Sequence, residues 1–140
     1  MSEIGPKEAW ELLGADPAAR LVDVRTRAEW SFVGLPDLGE TGKRAWTVEW
    51  VGFPAMTPNQ AFLSELSQFA AADGGMPETL LFICRSGARS LAAARLVAEE
   101  IEGVEHCINV AEGFEGDLDG DGHRGSVNGW KVAGLPWRQG

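Results

Sequence analysis

The sequence predicts an α/β domain with a mostly parallel sheet, and two features of the chain support this prediction. Apolar runs that indicate strands alternate with segments of helical pattern. The run Thr79–Ile83 lacks the alternation of a half-exposed strand, which indicates a strand covered by helices on both faces. The 140 residues show no break in composition, so we expect a single domain over residues 1–140.

Local signals place the helices between the strands. One helix near the start is entered through Pro6, and the alanine-rich residues 91–98 predict another, with Gly103 as its C-terminal stop. Between them, Thr57 is the expected N-terminal cap of a further helix, with Pro58 at the first helical position. An Asp-Gly-Gly sequence is expected to end that helix.

The remaining strands are expected at short β-branched or apolar runs. Besides Thr79–Ile83, these are residues 21–24, a short strand around residues 45–48, and residues 107–110. Residues 25–30 predict a loop that leads into a helical turn. Glycines and prolines predict loops through most of residues 34–54, where Trp46 and Trp50 either cover the core or line a pocket.

The charge of the chain restricts its partners. A formal net charge of −9 at pH 7 argues against nucleic acid or an anionic membrane, because both require a basic face. No apolar stretch reaches the length of a membrane span, so we expect a cytoplasmic protein. Cys84 and Cys107 could pair, but the size and context of the chain favour two reduced thiols.

Cys84 is the strongest candidate for a chemical role. It closes the apolar strand and opens the sequence CRSGARS, in which Arg85, Gly87 and Arg89 precede a helix. A free thiol has an ordinary pKa of about 8.5, and the amides and partial positive charge of a helix N-terminus, together with two arginines, favour the thiolate. The alternative is a buried core thiol. The density of the pattern favours an anion site.

Four segments of the chain resemble the rhodanese-like domain family. The loop from Cys84 to Ser90 is similar to the active-site loop of that family, in which a cysteine carries sulfane sulfur as a persulfide. The other three are residues 21–25 with Glu29-Trp30, residues 110–114, and residues 129–136. The resemblance implies a central five-stranded parallel sheet with helices on both sides.

The resemblance also implies a set of site residues. Cys84 would be the catalytic nucleophile. The loop that holds the substrate and the persulfide would consist of Arg85, Ser86, Gly87, Ala88 and Arg89. Asp23 and Arg25 are expected to form a supporting pair behind the site, because charges in short buried strands usually persist as pairs.

The loop length separates three kinds of enzyme. Related phosphatases and arsenate reductases have five residues between cysteine and arginine, whereas four separate Cys84 from Arg89 and the next residue is Ser90. The narrower ring favours a single sulfur atom over a tetrahedral oxyanion. The resemblance then implies a sulfurtransferase that needs no cofactor, with a donor such as thiosulfate and cyanide or a thiol as acceptor. The alternative is a sulfur-carrier or regulatory module that receives sulfur through a partner protein.

Two departures from the family pattern affect the pocket. The histidine that commonly follows the early strand is replaced by the sequence Gly34-Leu35-Pro36. Residues 115–128 form an acidic insert whose Asp117, Asp119 and Asp121 match the opening of a calcium loop, but Asn128 stands where such a loop ends in glutamate. We expect a solvated turn that walls one side of the Cys84 mouth and repels highly anionic donors, and no metal site.

Overall fold

The computed structural model describes residues 2–52 and 55–139. Its helices are α1 (Pro6–Ala15), α2 (Arg27–Phe32), α3 (Phe62–Ala72) and α4 (Ala88–Glu100). Its strands are β1 (Ser2–Ile4), β2 (Arg20–Asp23), β3 (Leu35–Pro36), β4 (Trp46–Thr47), β5 (Val51–Gly52), β6 (Thr57–Pro58), β7 (Thr79–Ile83), β8 (His106–Val110) and β9 (Trp137–Arg138).

The centre of the molecule is a five-stranded sheet in the order β1, β8, β7, β2, β4, and every neighbouring pair is parallel. This confirms the predicted α/β fold with its parallel sheet. Two small antiparallel pairs lie outside it, β3 with β9 and β5 with β6. None of the helices in residues 2–52 and 55–139 is long and apolar enough to cross a membrane.

Helices cover both faces of the central sheet, and its middle strand β7 is therefore buried along its whole length. Leu80 and Phe82 point into a core with α3 and α4, whereas Leu81 and Ile83 point into a second core with α1. Strand side chains alternate between the two faces, so an uninterrupted apolar run supplies both cores. The same strand therefore delivers Cys84 to the carboxyl edge of the sheet, where ligands bind in folds of this class.

Two predictions about the elements were incomplete or wrong. β1 was not predicted, because Ser2 and Glu3 give its three residues no strand pattern. The helix expected to begin at Thr57 begins instead at Phe62, since Thr57 and Pro58 pair with β5 as an extended strand. The side chain of Asn59 then makes the turn into α3 by accepting a hydrogen bond from the amide of Ala61, 3.0 Å away.

The short elements β3, β5 and β9, and a 3₁₀ helix at Gly39–Thr41, were also not predicted, and all of these except β9 lie where loops were expected. The remaining predicted elements agree with the structure in place and type. The short strand expected around residues 45–48 is β4, and the Asp-Gly-Gly sequence follows the end of α3. α4 starts three residues before the predicted segment and ends before Gly103, which lies in the following turn at φ 92°. Trp46 is fully buried in the core, and Trp50 packs against it.

A buried ion pair between Arg25 and Asp23 connects the end of β2 to the segments that contain Gly34 and Phe114. The guanidinium of Arg25 donates to Asp23, with 2.6 Å between Nη2 and Oδ2, and also to the carbonyl oxygen of Gly34 at 2.7 Å. It lies over the ring of Phe114, 4.2 Å from the centroid. Both charged side chains are fully buried, so each depends on the other for compensation.

Asp23→Asn keeps the size of the side chain but leaves the charge of Arg25 buried without its counter-ion. We expect a loss of about 3–5 kcal/mol in the free energy of unfolding. Urea denaturation would measure it, with the exposed Asp121→Asn as a matched control that changes stability by less than about 0.5 kcal/mol. Equal stabilities for the two variants would contradict a stabilising role for the buried pair.

Candidate active site

Cys84 lies directly after β7, at the bottom of a loop that leads into α4. The residue is 1% exposed. The amide of Gly87 donates to its sulfur at 3.1 Å, and the hydroxyl oxygen of Ser90 lies 3.2 Å from the same atom. The sulfur therefore lies beside polar groups at the N-terminus of α4, a position that stabilises negative charge.

Gly87 makes this arrangement possible because it adopts a left-handed conformation. It is the N-terminal cap of α4, with φ 117° and ψ −15°. A residue with a Cβ rarely adopts this φ, so glycine is needed for the amide to turn back to the Cys84 sulfur.

The opposite side of the loop is held by the turn after β8, which we call the backing turn (residues 113–116). Amides of this turn donate to the carbonyls of Cys84 and Arg85 at distances of 2.8 to 3.1 Å. At Gly113 a Cβ would lie 2.5 Å from the Arg85 carbonyl carbon, so only glycine permits this approach. The carbonyls of Cys84 and Arg85 thus find donors on the side of the loop away from the sulfur.

The two arginines of the loop have different environments. Arg89 makes a forked ion pair with Glu29 of α2, with Nη1 2.6 Å from Oε1 and Nη2 2.9 Å from Oε2. Arg85 is exposed and lines both cavities at the mouth of the site. Arg85 is therefore the loop arginine whose guanidinium is available to an anion, because the fork of Arg89 already holds a carboxylate.

The ion pair also changes the titration of its members. Burial on its own raises the pKa of Glu29, but hydrogen bonds and charge from Arg89, with hydrogen bonds from Thr26, hold that pKa below its ordinary value. The hydrogen bond that Arg89 donates to Glu29 raises the pKa of Arg89 above its ordinary value. Glu29 is thus a charged component of the site rather than a proton donor at neutral pH.

Two cavities open beside Arg85. One, of about 500 Å³, is lined mainly by apolar groups, including Ala28, Phe32, Val33 and Met56. The other, of about 710 Å³, lies between the loop and the acidic insert and includes Leu118 and His123. The insert therefore forms one wall of this second cavity.

The acidic insert is closed by its own hydrogen bonds. The carboxylate of Asp119 accepts from the amides of His123 and Asp121 and from the hydroxyl of Ser126, and these bonds lower its pKa. Asp117 is bonded to Asn128 in both directions. In the part of the chain that the structure describes, no three His, Cys, Asp or Glu side chains converge in a group that could hold a metal ion.

The other predicted residues lie around this centre. Ser86 lies in the loop between Cys84 and α4, and Ala88 is the first residue of α4. Asp23 and Arg25 form their buried pair at the carboxyl end of the neighbouring strand β2. Cys107 is a free thiol in the core on β8.

Two residues of the site were not predicted as functional. Glu29 had a local signal, because Thr26 and Glu29 form a capping box at the start of α2. Its partnership with Arg89 spans 60 residues of sequence and has no such signal. Asn109 lies on β8 and is 1% exposed, with its side-chain oxygen 2.5 Å from the hydroxyl of Ser90.

Comparison with known proteins agrees with this architecture. The model of the Rhodanese-like domain family matches residues 5–118. An uncharacterized protein of Rickettsia conorii is 34% identical over 131 residues, which cover 94% of this chain and 92% of that protein.

Two solved structures share the fold. The crystal structure of Rv0390 from M. tuberculosis has a TM-score of 0.87 and 46% identity, covering 100% of this chain and 98% of that one. The polysulfide-sulfur transferase homodimer from Wolinella succinogenes, at 21% identity and a TM-score of 0.63, covers 100% of this chain with 80% of its own. On the strength of its match to the family model and of its relatives, the chain belongs to the rhodanese-like domain family.

Proposed function

We propose that this protein is a sulfurtransferase that carries sulfane sulfur as a persulfide on Cys84. The observation that supports the proposal most strongly is the position of the Cys84 sulfur. It accepts a hydrogen bond from the amide of Gly87, within the loop of four residues that separates Cys84 from Arg89. Amide donors of this kind stabilise a thiolate and a terminal persulfide sulfur. Only four residues separate Cys84 from Arg89, and Arg89 is paired with Glu29. A single outer sulfur atom on Cys84 therefore suits the loop better than a tetrahedral oxyanion.

The proposed reaction has two displacements. The Cys84 thiolate attacks the outer sulfur of thiosulfate, the sulfur–sulfur bond of thiosulfate breaks, and sulfite leaves with the bonding electron pair. The exposed guanidinium of Arg85 is placed to attract the donor and the departing anion. Cyanide or a thiolate then attacks the outer sulfur of the persulfide, and Cys84 is regenerated as thiolate. Neither displacement requires a general base, because a thiolate has no proton to lose.

Incubation with thiosulfate should add one sulfur atom to Cys84, and subsequent cyanide should remove it as thiocyanate. Intact-protein mass spectrometry and a thiocyanate assay would measure the two steps. Cys84→Ser should abolish both, because the hydroxyl of serine is a far weaker nucleophile. Cys107→Ala is the matched control, since Cys107 lies in the core and should leave both signals intact. Absence of the sulfur adduct in the wild-type protein would contradict direct thiosulfate chemistry.

A sulfur-carrier or regulatory module is the second candidate, and two observations favour it. Cys84 is 1% exposed, and the guanidinium of Arg89 is occupied by Glu29, which leaves limited positive charge for a free dianion. The cavity beside the loop is lined by apolar side chains, and Phe32 in its wall is 81% exposed. A donor presented by a protein partner would bring its sulfur to Cys84 without depending on the charge of a small anion.

Glu29→Gln separates the two candidates. Glutamine keeps a capping oxygen for α2 but releases Arg89 to bind an anion. If free thiosulfate is the direct donor, we expect its KM to fall by about three- to tenfold, in line with one charged hydrogen bond. Steady-state kinetics would measure this, with the exposed Glu105→Gln as a control of the same net charge. Negligible thiosulfate turnover in both variants and the wild type, with Cys84 persulfidated in cells, would support the partner-fed module instead.

The same variant tests the electrostatic role of Glu29 in folding. Its pKa is lower in the folded protein, so its stabilising effect is present above the unfolded pKa of about 4.3 and is lost as pH falls through the folded pKa. We expect Glu29→Gln to cost up to about 1 kcal/mol at pH 7 and much less near pH 3, since the pair is partly solvated. Urea midpoints at both pH values would measure the difference. A gap that does not narrow towards pH 3 would contradict the role of the ion pair.

A further inference from the structure

Two buried polar residues behind Cys84 have no part in the proposed displacements. Ser90 of α4 is fully buried, and Asn109 of β8 is 1% exposed. The Ser90 hydroxyl oxygen lies 3.2 Å from the Cys84 sulfur, 2.5 Å from Oδ1 of Asn109 and 3.2 Å from the carbonyl oxygen of Gly87. All three neighbours can accept a hydrogen bond, but a hydroxyl has only one hydrogen to donate. The direction of that hydrogen determines whether the Cys84 sulfur faces a hydrogen-bond donor or the lone pairs of the Ser90 oxygen.

The orientation of the Asn109 amide is fixed by its other partners. Its Nδ2 lies 3.2 Å from the carbonyl oxygen of Gly87 and 3.3 Å from a carboxylate oxygen of Glu3 on β1. Both of these oxygens can only accept, so the amide nitrogen must face them. The amide oxygen of Asn109 therefore faces Ser90, and it too can only accept.

The hydrogen of Ser90 is consequently directed to Asn109. The distance of 2.5 Å is the shortest that the hydroxyl makes, and a buried amide oxygen without a donor is costly. The lone pairs of the Ser90 oxygen then face the Cys84 sulfur. A thiol can donate its S–H hydrogen to these lone pairs, whereas a thiolate receives the Ser90 hydrogen only when Asn109 loses it.

We infer that Asn109 is a positioning residue that opposes ionisation of the Cys84 thiol in the substrate-free protein by keeping the Ser90 hydrogen away from the sulfur. When the thiol ionises, its proton passes to water and the Ser90 hydroxyl turns to donate to the sulfur. Asn109 then loses its donor, and this loss opposes ionisation. The amide of Gly87 and the N-terminus of α4 act in the opposite direction. The device concerns the thiol itself and does not depend on which reaction the thiol performs.

The charged groups around the sulfur allow a clean test. Arg85 and Arg89 lie on the loop and α4, Asp23 ends β2, Glu3 belongs to β1, and Glu112 follows β8. Asn109→Leu removes none of these charges and changes the side chain to an apolar one of similar size. The carbonyl of Gly87 keeps a donor in the amide of Leu91, so this substitution leaves that buried acceptor satisfied.

The test is the fraction of Cys84 thiolate in substrate-free protein, measured by ultraviolet absorbance at one fixed pH. The working pH is set by titrating the wild-type protein until about one-tenth of the thiol is ionised, which is about one pH unit below the midpoint of the titration. Burial raises the pKa of Cys107, and a Cys107→Ala background removes its signal altogether. Asn109→Leu frees Ser90 to donate to the sulfur, so we expect the ratio of thiolate to thiol to rise about three- to tenfold.

Ser90→Ala distinguishes the two directions of the hydrogen bond. If Ser90 accepts from the thiol, as inferred, Ser90→Ala does not reduce the thiolate fraction, and adding Asn109→Leu to it has no further effect. If Ser90 donates to the sulfur in the wild-type protein, Ser90→Ala lowers the fraction, and that result overturns the inference. An unchanged or lower fraction in Asn109→Leu overturns it as well.

A second substitution at the same position tests the inference if the Asn109→Leu protein does not fold. Asn109→Ala removes the same acceptor without adding bulk and should give the same sign, provided its urea transition shows a folded protein. The rate of iodoacetamide alkylation should follow the thiolate fraction in each folded variant. Because no sulfur donor is present, loss of sulfurtransferase activity cannot mimic either outcome.

Discussion

The candidate site depends on the hydrogen bonds that the backing turn donates to the carbonyls of Cys84 and Arg85. A tight loop has as many carbonyls as amides, and both need partners. Here the amides of Phe114, Glu115 and Gly116 satisfy the carbonyls from one side. The amide of Gly87 donates to the Cys84 sulfur from the other side of the loop. The loop thus has its carbonyls and its anion-facing amide on opposite sides.

Several distant segments meet at the same turn. The amide of Trp130 donates to the carbonyl of Gly113, and the guanidinium of Arg25 lies over Phe114. The amide of Gly125, within the acidic insert, donates to the carbonyl of Glu115. The C-terminal segment, the end of β2 and the insert are therefore connected to the nucleophile through one short stretch of backbone. A substitution that shifts the backbone of any of these segments can therefore move Cys84 without contacting it directly.

The parts of the site that are contiguous in sequence could be predicted, and the parts that depend on register could not. Cys84 with its loop is a local pattern, and β7 is an unbroken apolar run. The pairing of Arg89 with Glu29 depends on how α2 packs beside the loop, which leaves no local trace in either segment. Asn109 meets Ser90 only because β8 pairs with β7 in one register. At Thr57, strand pairing with β5 outweighed a good helix-start signal.

The lengths of the strands in the central sheet have a consequence for self-association. The inner strands β7 and β8 have five residues each, whereas the edge strands β1 and β4 have three and two. Long flat edges provide templates for pairing with another chain, and short edges provide little. The charge of −9 adds repulsion between copies. The sheet thus keeps its most β-prone and most hydrophobic strand in the middle, where intermolecular strand addition during folding or storage has the least access to it.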